Sequence, residues 1–140
     1  MKCLELLRGM KNVDSRRVAA YGDGSGAFVT IGVAAERGSG LRTVIITAGG
    51  ISSKTGNPAP TADIAKKIRV PMLILSGEAD VNVPPERSLD LKNILDEQKV
   101  ENERYVYPGG GHDIYRTQTA DIYDRVKNWL TKLGVIKHPD

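Results

Sequence analysis

A chain of 140 residues with 40% hydrophobic and 26% charged residues has the size and balance of one soluble domain with a real core. Its net charge of +3 is spread over interspersed acids and bases, with no basic stripe carrying interleaved aromatics, which argues against nucleic acid as a partner. A single cysteine excludes an internal disulfide, two histidines beside it leave no His/Cys set for zinc, and no stretch reads as a membrane span or a signal peptide, so a cytoplasmic protein without metal or other cofactor is expected.

Taken in chain order, residues 2–11 read as the end of a helix that closes around Gly9 to Asn12, with Cys3 a small buried hydrophobe in its apolar run. Residues 18–21 form a short buried strand, 22–26 a glycine-rich turn, and 27–36 an apolar helix ended by Gly38-Ser39-Gly40. Residues 43–47 (TVIIT) are continuously apolar and β-branched, the signature of a parallel strand covered on both faces. A Gly/Ser/Asn/Pro-rich loop follows over 48–60, then a short helix over 62–67 and a third strand over 72–76. Pro84 and Pro85 open a helix to about residue 98, in the first turn where a missing N–H costs least. A fourth strand covers 103–107, a tight loop 108–111, and a helix from about 117 to 133 carries Ile122, Val126, Trp129, Leu130 and Leu133 at core spacing. Tyr105 and Tyr107 are expected to pack around the sheet and Trp129 in the core. Strands separated by helices predict an α/β fold, a three-layer α/β/α sandwich with about four parallel strands. Residues 1–135 form one domain, with 136–140, including an incidental His138, a frayed tail.

In an open parallel sheet, sites form beyond the carboxyl ends of the strands. Asp23 to Ser25, Asp80 and His112 each follow a predicted strand, so three separate loops converge on one edge of the sheet. The order is that of nucleophile, acid and base in a hydrolytic triad, in which a buried carboxylate orients an imidazole and the imidazole takes the nucleophile's proton. Glycines Gly22, Gly24 and Gly26 suit a sharp strand-to-helix elbow, and the helix start beyond it suits an oxyanion or a phosphate. Read in register, G-x-S-x-G falls on Gly22, Asp23, Gly24, Ser25 and Gly26, with glycine where the serine belongs.

The segment Val13-Asp14-Ser15-Arg16-Arg17-Val18-Ala19-Ala20-Tyr21-Gly22 resembles the entry to the nucleophile elbow in alpha/beta-hydrolases of the prolyl oligopeptidase, dienelactone hydrolase and acetyl-esterase groups. Residues 70–84 (VPMLILSGEADVNVP) resemble the segment with the catalytic acid, and Tyr107-Pro108-Gly109-Gly110-Gly111-His112 the segment with the catalytic histidine. The resemblance runs from about residue 5 to 133 and implies the carboxyl-terminal half of such a domain. It implies Asp80 as the acid and His112 as the base, and sets the serine position, counted from Arg17, on Gly24. Ser25 takes the next position, whose backbone N–H normally serves the oxyanion, and is the remaining candidate nucleophile if the turn slips by one residue.

The expected function is a serine-hydrolase-type domain acting on a small ester or peptide, with Ser25, Asp80 and His112 as the candidate triad. The alternatives are an inactive pseudohydrolase that serves as a binding or interaction module, and an α/β domain with a phosphate site at the elbow. The resemblance also implies further strands ahead of residue 18. Without them the 18–21 strand has an open edge, so a homodimer, a partner chain along that edge, or a longer gene product is expected.

Overall fold

The computed structural model describes residues 2–54 and 56–137. His138 and the rest of the expected tail beyond Lys137 lie outside the described residues. The elements are α1 (Lys2–Arg8), β1 (Ala19–Asp23), α2 (Ser25–Ala35), β2 (Thr43–Thr47), α3 (Ala62–Ala65), β3 (Met72–Gly77), α4 (Pro85–Glu97), β4 (Asn102–Tyr107), α5 (Ile114–Thr117) and α6 (Thr119–Lys132). The four strands form one sheet in the order β1-β2-β3-β4, every neighbouring pair parallel.

Because side chains alternate along a strand, β2 and β3 feed two cores. Val44, Ile46, Met72 and Ile74 face one side with Ile31 of α2, Ala65 of α3, and Leu91 and Leu95 of α4. Ile45, Leu73 and Leu75 face the other with Ile114 of α5, and Ile122 and Trp129 of α6. The three crossover helices share one face, as a common handedness requires when every crossover steps the same way along the sheet. Among the described residues, α5 and α6, which follow the last strand, cover the second face. The result is the expected three-layer α/β/α sandwich.

Both central strands are wholly buried, as their apolar runs require. Polar links fasten the second layer. The Trp129 indole donates to Thr43 Oγ1 at 2.8 Å, and Thr43 Oγ1 donates to the Pro71 carbonyl at 2.7 Å. Tyr105 and Tyr107 meet edge-on at 4.8 Å, with the Arg125 guanidinium 3.4 Å over the Tyr105 ring.

Four expectations change. Cys3 is exposed, because α1 buries none of its residues and reaches the core only through Leu4. The first strand runs over 19–23 and is not buried: as an edge strand it leaves Tyr21 39% exposed. The turn over 22–26 contracts to Gly24, since Gly22 and Asp23 complete β1 and Ser25 already starts α2. A short helix that was not expected, α5, precedes the last helix, and Gln118, with φ −119° and ψ 27°, separates the two.

Candidate active site

Parallel strands bring their carboxyl ends to one edge, and there the loops after β1, β3 and β4 meet. At the end of β1, Gly22 is buried and paired with Ile46, and Asp23 is exposed, with Oδ1 accepting from Thr47 Oγ1 at 2.5 Å. Gly24 then reverses the chain in one residue, with φ 57° and ψ −119°. An L side chain rarely adopts that conformation, and glycine does so without a Cβ penalty. The turn is held by the Gly24 N–H donating to the Thr47 carbonyl and the Ala27 N–H donating to the Gly24 carbonyl, both at 3.0 Å. Gly26 lies in the first turn of α2, where its carbonyl accepts from Thr30 Oγ1 at 2.9 Å. No side chain caps α2, and the Ser25 and Gly26 N–H groups have no backbone acceptor among the described residues.

The acid and the base arise from loops laced together. The Glu78 N–H donates to the Tyr107 carbonyl at 3.0 Å, and the Ala79 N–H to the Gly110 carbonyl at 2.8 Å. Gly77 permits this approach, since a Cβ there would run into the carbonyls of Gly110 and Gly111. The Asp80 side chain is fully buried. Its Oδ1 accepts from the N–H groups of Asn82 and Val83, each at 2.9 Å, and its Oδ2 takes the His112 Nδ1–H at 2.8 Å. With Nδ1 donating to a carboxylate, the neutral ring carries its lone pair on Nε2, as a general base must. The His112 side chain is 35% exposed, and Nε2 makes no hydrogen bond among the described residues.

Nε2 is directed at Gly24. A Cβ built on that glycine would lie 3.2 Å from His112 Nε2 and 3.8 Å from Cε1, so the elbow position facing the base carries no side chain. Ser25 is exposed at the start of α2, and its hydroxyl makes no hydrogen bond to His112. The structure thus brings Asp80, His112 and Gly24 together and leaves the Ser25 hydroxyl outside the group. Two contributors were not foreseen as site residues. Gly77 has a signal in the sequence, a glycine at a strand end before an acid. Thr47, which holds both Asp23 and the elbow N–H, has none. Among the described residues no group of three His, Cys, Asp or Glu side chains could hold a metal ion, and no helix is long and apolar enough to cross a membrane.

The sequence model of the prolyl oligopeptidase family matches residues 52–134, more than half of the chain. The chain belongs to this family. The matched segment contains Asp80 and His112, and the elbow lies ahead of it. Relatives include the probable dipeptidyl-aminopeptidase B of Sordaria macrospora, 36% identical over 74 residues that make up 51% of this chain and 8% of that protein. The Neurospora crassa protein of the same name is 38% identical over 63 residues, 44% of this chain and 7% of that one. The chain therefore matches less than a tenth of the length of these relatives. Among solved structures, Porphyromonas gingivalis dipeptidyl peptidase 4 superposes with a TM-score of 0.80 at 17% identity, over 92% of this chain and 21% of that one. An alpha/beta hydrolase from a Medee basin deep-sea metagenome gives 0.79 at 16% identity, over 93% of this chain and 61% of that one. The fold is that of the alpha/beta-hydrolases, and the family's serine-peptidase type of hydrolase is the class to which the domain relates.

Proposed function

We propose that this domain is a serine-peptidase-type hydrolase domain with a degenerate nucleophile elbow that has lost covalent catalysis. It keeps the acid and base of an ester- or peptide-cleaving site, binds acyl or peptidyl groups at that edge of the sheet, and forms no acyl-enzyme through Ser25. The observation that carries the reading is the approach of His112 Nε2 to Gly24 rather than to the Ser25 hydroxyl. Covalent catalysis needs nucleophile and base within hydrogen-bond reach, and a misplacement of about 1 Å can cost on the order of a hundredfold in rate. A cytoplasmic setting fits a chain with one cysteine. The open edge of β1 supports a further element of the proposal, association along that edge with a second copy or a partner chain.

The test is labelling by a fluorophosphonate, with mass spectrometry to locate the adduct. The wild-type chain is expected to remain unlabelled. Gly24→Ser is expected to gain an adduct at position 24 that disappears when His112→Ala is added. An adduct on Ser25 of the wild-type chain, lost in Ser25→Ala and in His112→Ala, would overturn the reading and make Ser25 a working nucleophile.

A further inference from the structure

We propose that the Asp80–His112 pair acts as a general base on a water molecule seated over Gly24, giving the domain a direct, non-covalent hydrolysis of small activated acyl esters. The inference rests on the reading above, that position 24 faces the base and Ser25 does not.

The geometry has three parts. The base is oriented, since Asp80 Oδ1 is fixed by two backbone N–H groups and its Oδ2 holds the His112 Nδ1–H at 2.8 Å. The base is reachable, since the His112 side chain is 35% exposed. Finally, Gly24 leaves room beside it: an atom in the Cβ position would sit 3.2 Å from Nε2, and a water oxygen needs only to settle at about 2.8 Å to donate its proton. The Ser25 and Gly26 N–H groups open the eleven-residue helix α2 next to that place and have no backbone acceptor among the described residues, so they can receive the developing oxyanion.

The step balances without any other reactant. Nε2 takes a proton from water as the water oxygen bonds to the acyl carbon, and the carbonyl electron pair moves onto its oxygen. As that pair returns, the bond from carbon to the leaving oxygen breaks, and the proton on Nε2 passes to the leaving group. Ester and water become acid and alcohol, with Asp80 stabilising the transient imidazolium throughout.

The probe is 4-nitrophenyl acetate with the full chain, followed from the first turnover. The wild-type protein is expected to release nitrophenolate linearly, with no burst and no acetylated protein by mass, at a rate about a hundredfold above that of His112→Ala. Gly24→Ala, which places a methyl group where the water must sit, is expected to lose that advantage while Asp80 and His112 remain intact. Gly24→Ser is expected to restore a burst and an acetyl adduct at position 24. Equal rates for the wild-type protein and His112→Ala, with both folded by circular dichroism, would overturn the inference. So would a burst with an acetyl group on His112. A fluorophosphonate adduct on Ser25 would instead overturn the reading beneath it, so the two failures are distinguishable.

Discussion

Two residues near the strand ends carry unequal burdens. Gly24 occupies a backbone region that glycine alone enters cheaply, and its missing side chain sets what His112 can do. Ser76, near the end of β3, is buried with no hydrogen-bond partner for its hydroxyl among the described residues. A buried hydroxyl without a partner costs about 1–3 kcal/mol. Ser76→Ala is therefore expected to leave stability unchanged or raise it by up to that amount in a urea titration, and a loss of stability would show that the hydroxyl has a partner. Residue by residue, the sequence was uneven. Asp80 and His112 could be placed because each follows a strand and a glycine, the first an apolar strand and the second a strand ending in Tyr105-Val106-Tyr107, cues that are local. The mismatch between Ser25 and His112 was legible only as a register problem, because the direction of a first-turn hydroxyl depends on where the helix begins, and α2 begins two residues earlier than its composition suggests. Cys3 misled because an apolar run implies burial only when a second surface lies against it.

Among the elements, the clearest device is the clamp between β4 and α6. Tyr107 donates its hydroxyl to Asp121 Oδ2 at 2.7 Å, and Arg125 Nε reaches the same oxygen at 2.7 Å. The hydrogen bonds from Arg125 and then Tyr107 hold the Asp121 carboxyl below the usual carboxylate range. Burial, followed by the bond to Asp121, pushes the Tyr107 phenol above its ordinary value. A carboxyl depressed in the folded state adds stability that is present above its unfolded value, near pH 4, and is lost as pH falls through the folded value. Asp121→Asn is expected to melt below the wild-type protein at neutral pH, with the gap closing on strong acidification. A gap that stays constant with pH would assign the effect to packing. The exposure of the pair keeps the effect small. The central strands were legible because parallel strands buried on both faces need continuous apolar runs. The short helix α5 was not, because four residues are too few to carry a readable period, and the exposure of β1 was not, because a strand's sequence does not reveal whether it has a second neighbour.

At the scale of the molecule, the sheet has two unlike edges. β4 is guarded: Lys132 pairs with Glu103 at 3.1 Å, and Arg104 reaches Ser88 and the Pro85 carbonyl. β1 presents Ala19, Ala20 and Tyr21 with no charge before Asp23, and exposed Tyr115 and Tyr123 stand beside Tyr21 around an apolar cavity of about 240 Å³. Charges on an edge discourage pairing with another chain, and their absence permits it. The association proposed along β1 predicts a concentration-dependent rise in mass by sedimentation velocity that Ala19→Lys suppresses. A rise unaffected by that change would move the contact elsewhere on the surface.

The lacing of the β3 and β4 loops bears on how such a chain changes over generations. The acid and the base hold one another through Gly77, Gly110 and the N–H groups of Asn82 and Val83, and nothing at position 24 takes part. A hydroxyl at the elbow can vanish without disturbing the pair. Because the backbone there favours glycine by about 1–3 kcal/mol over a residue with a side chain, selection for stability alone moves that position toward glycine. Only selection for covalent turnover would hold a serine in place, so the acid–base pair can outlive its nucleophile as an inherited part open to other uses.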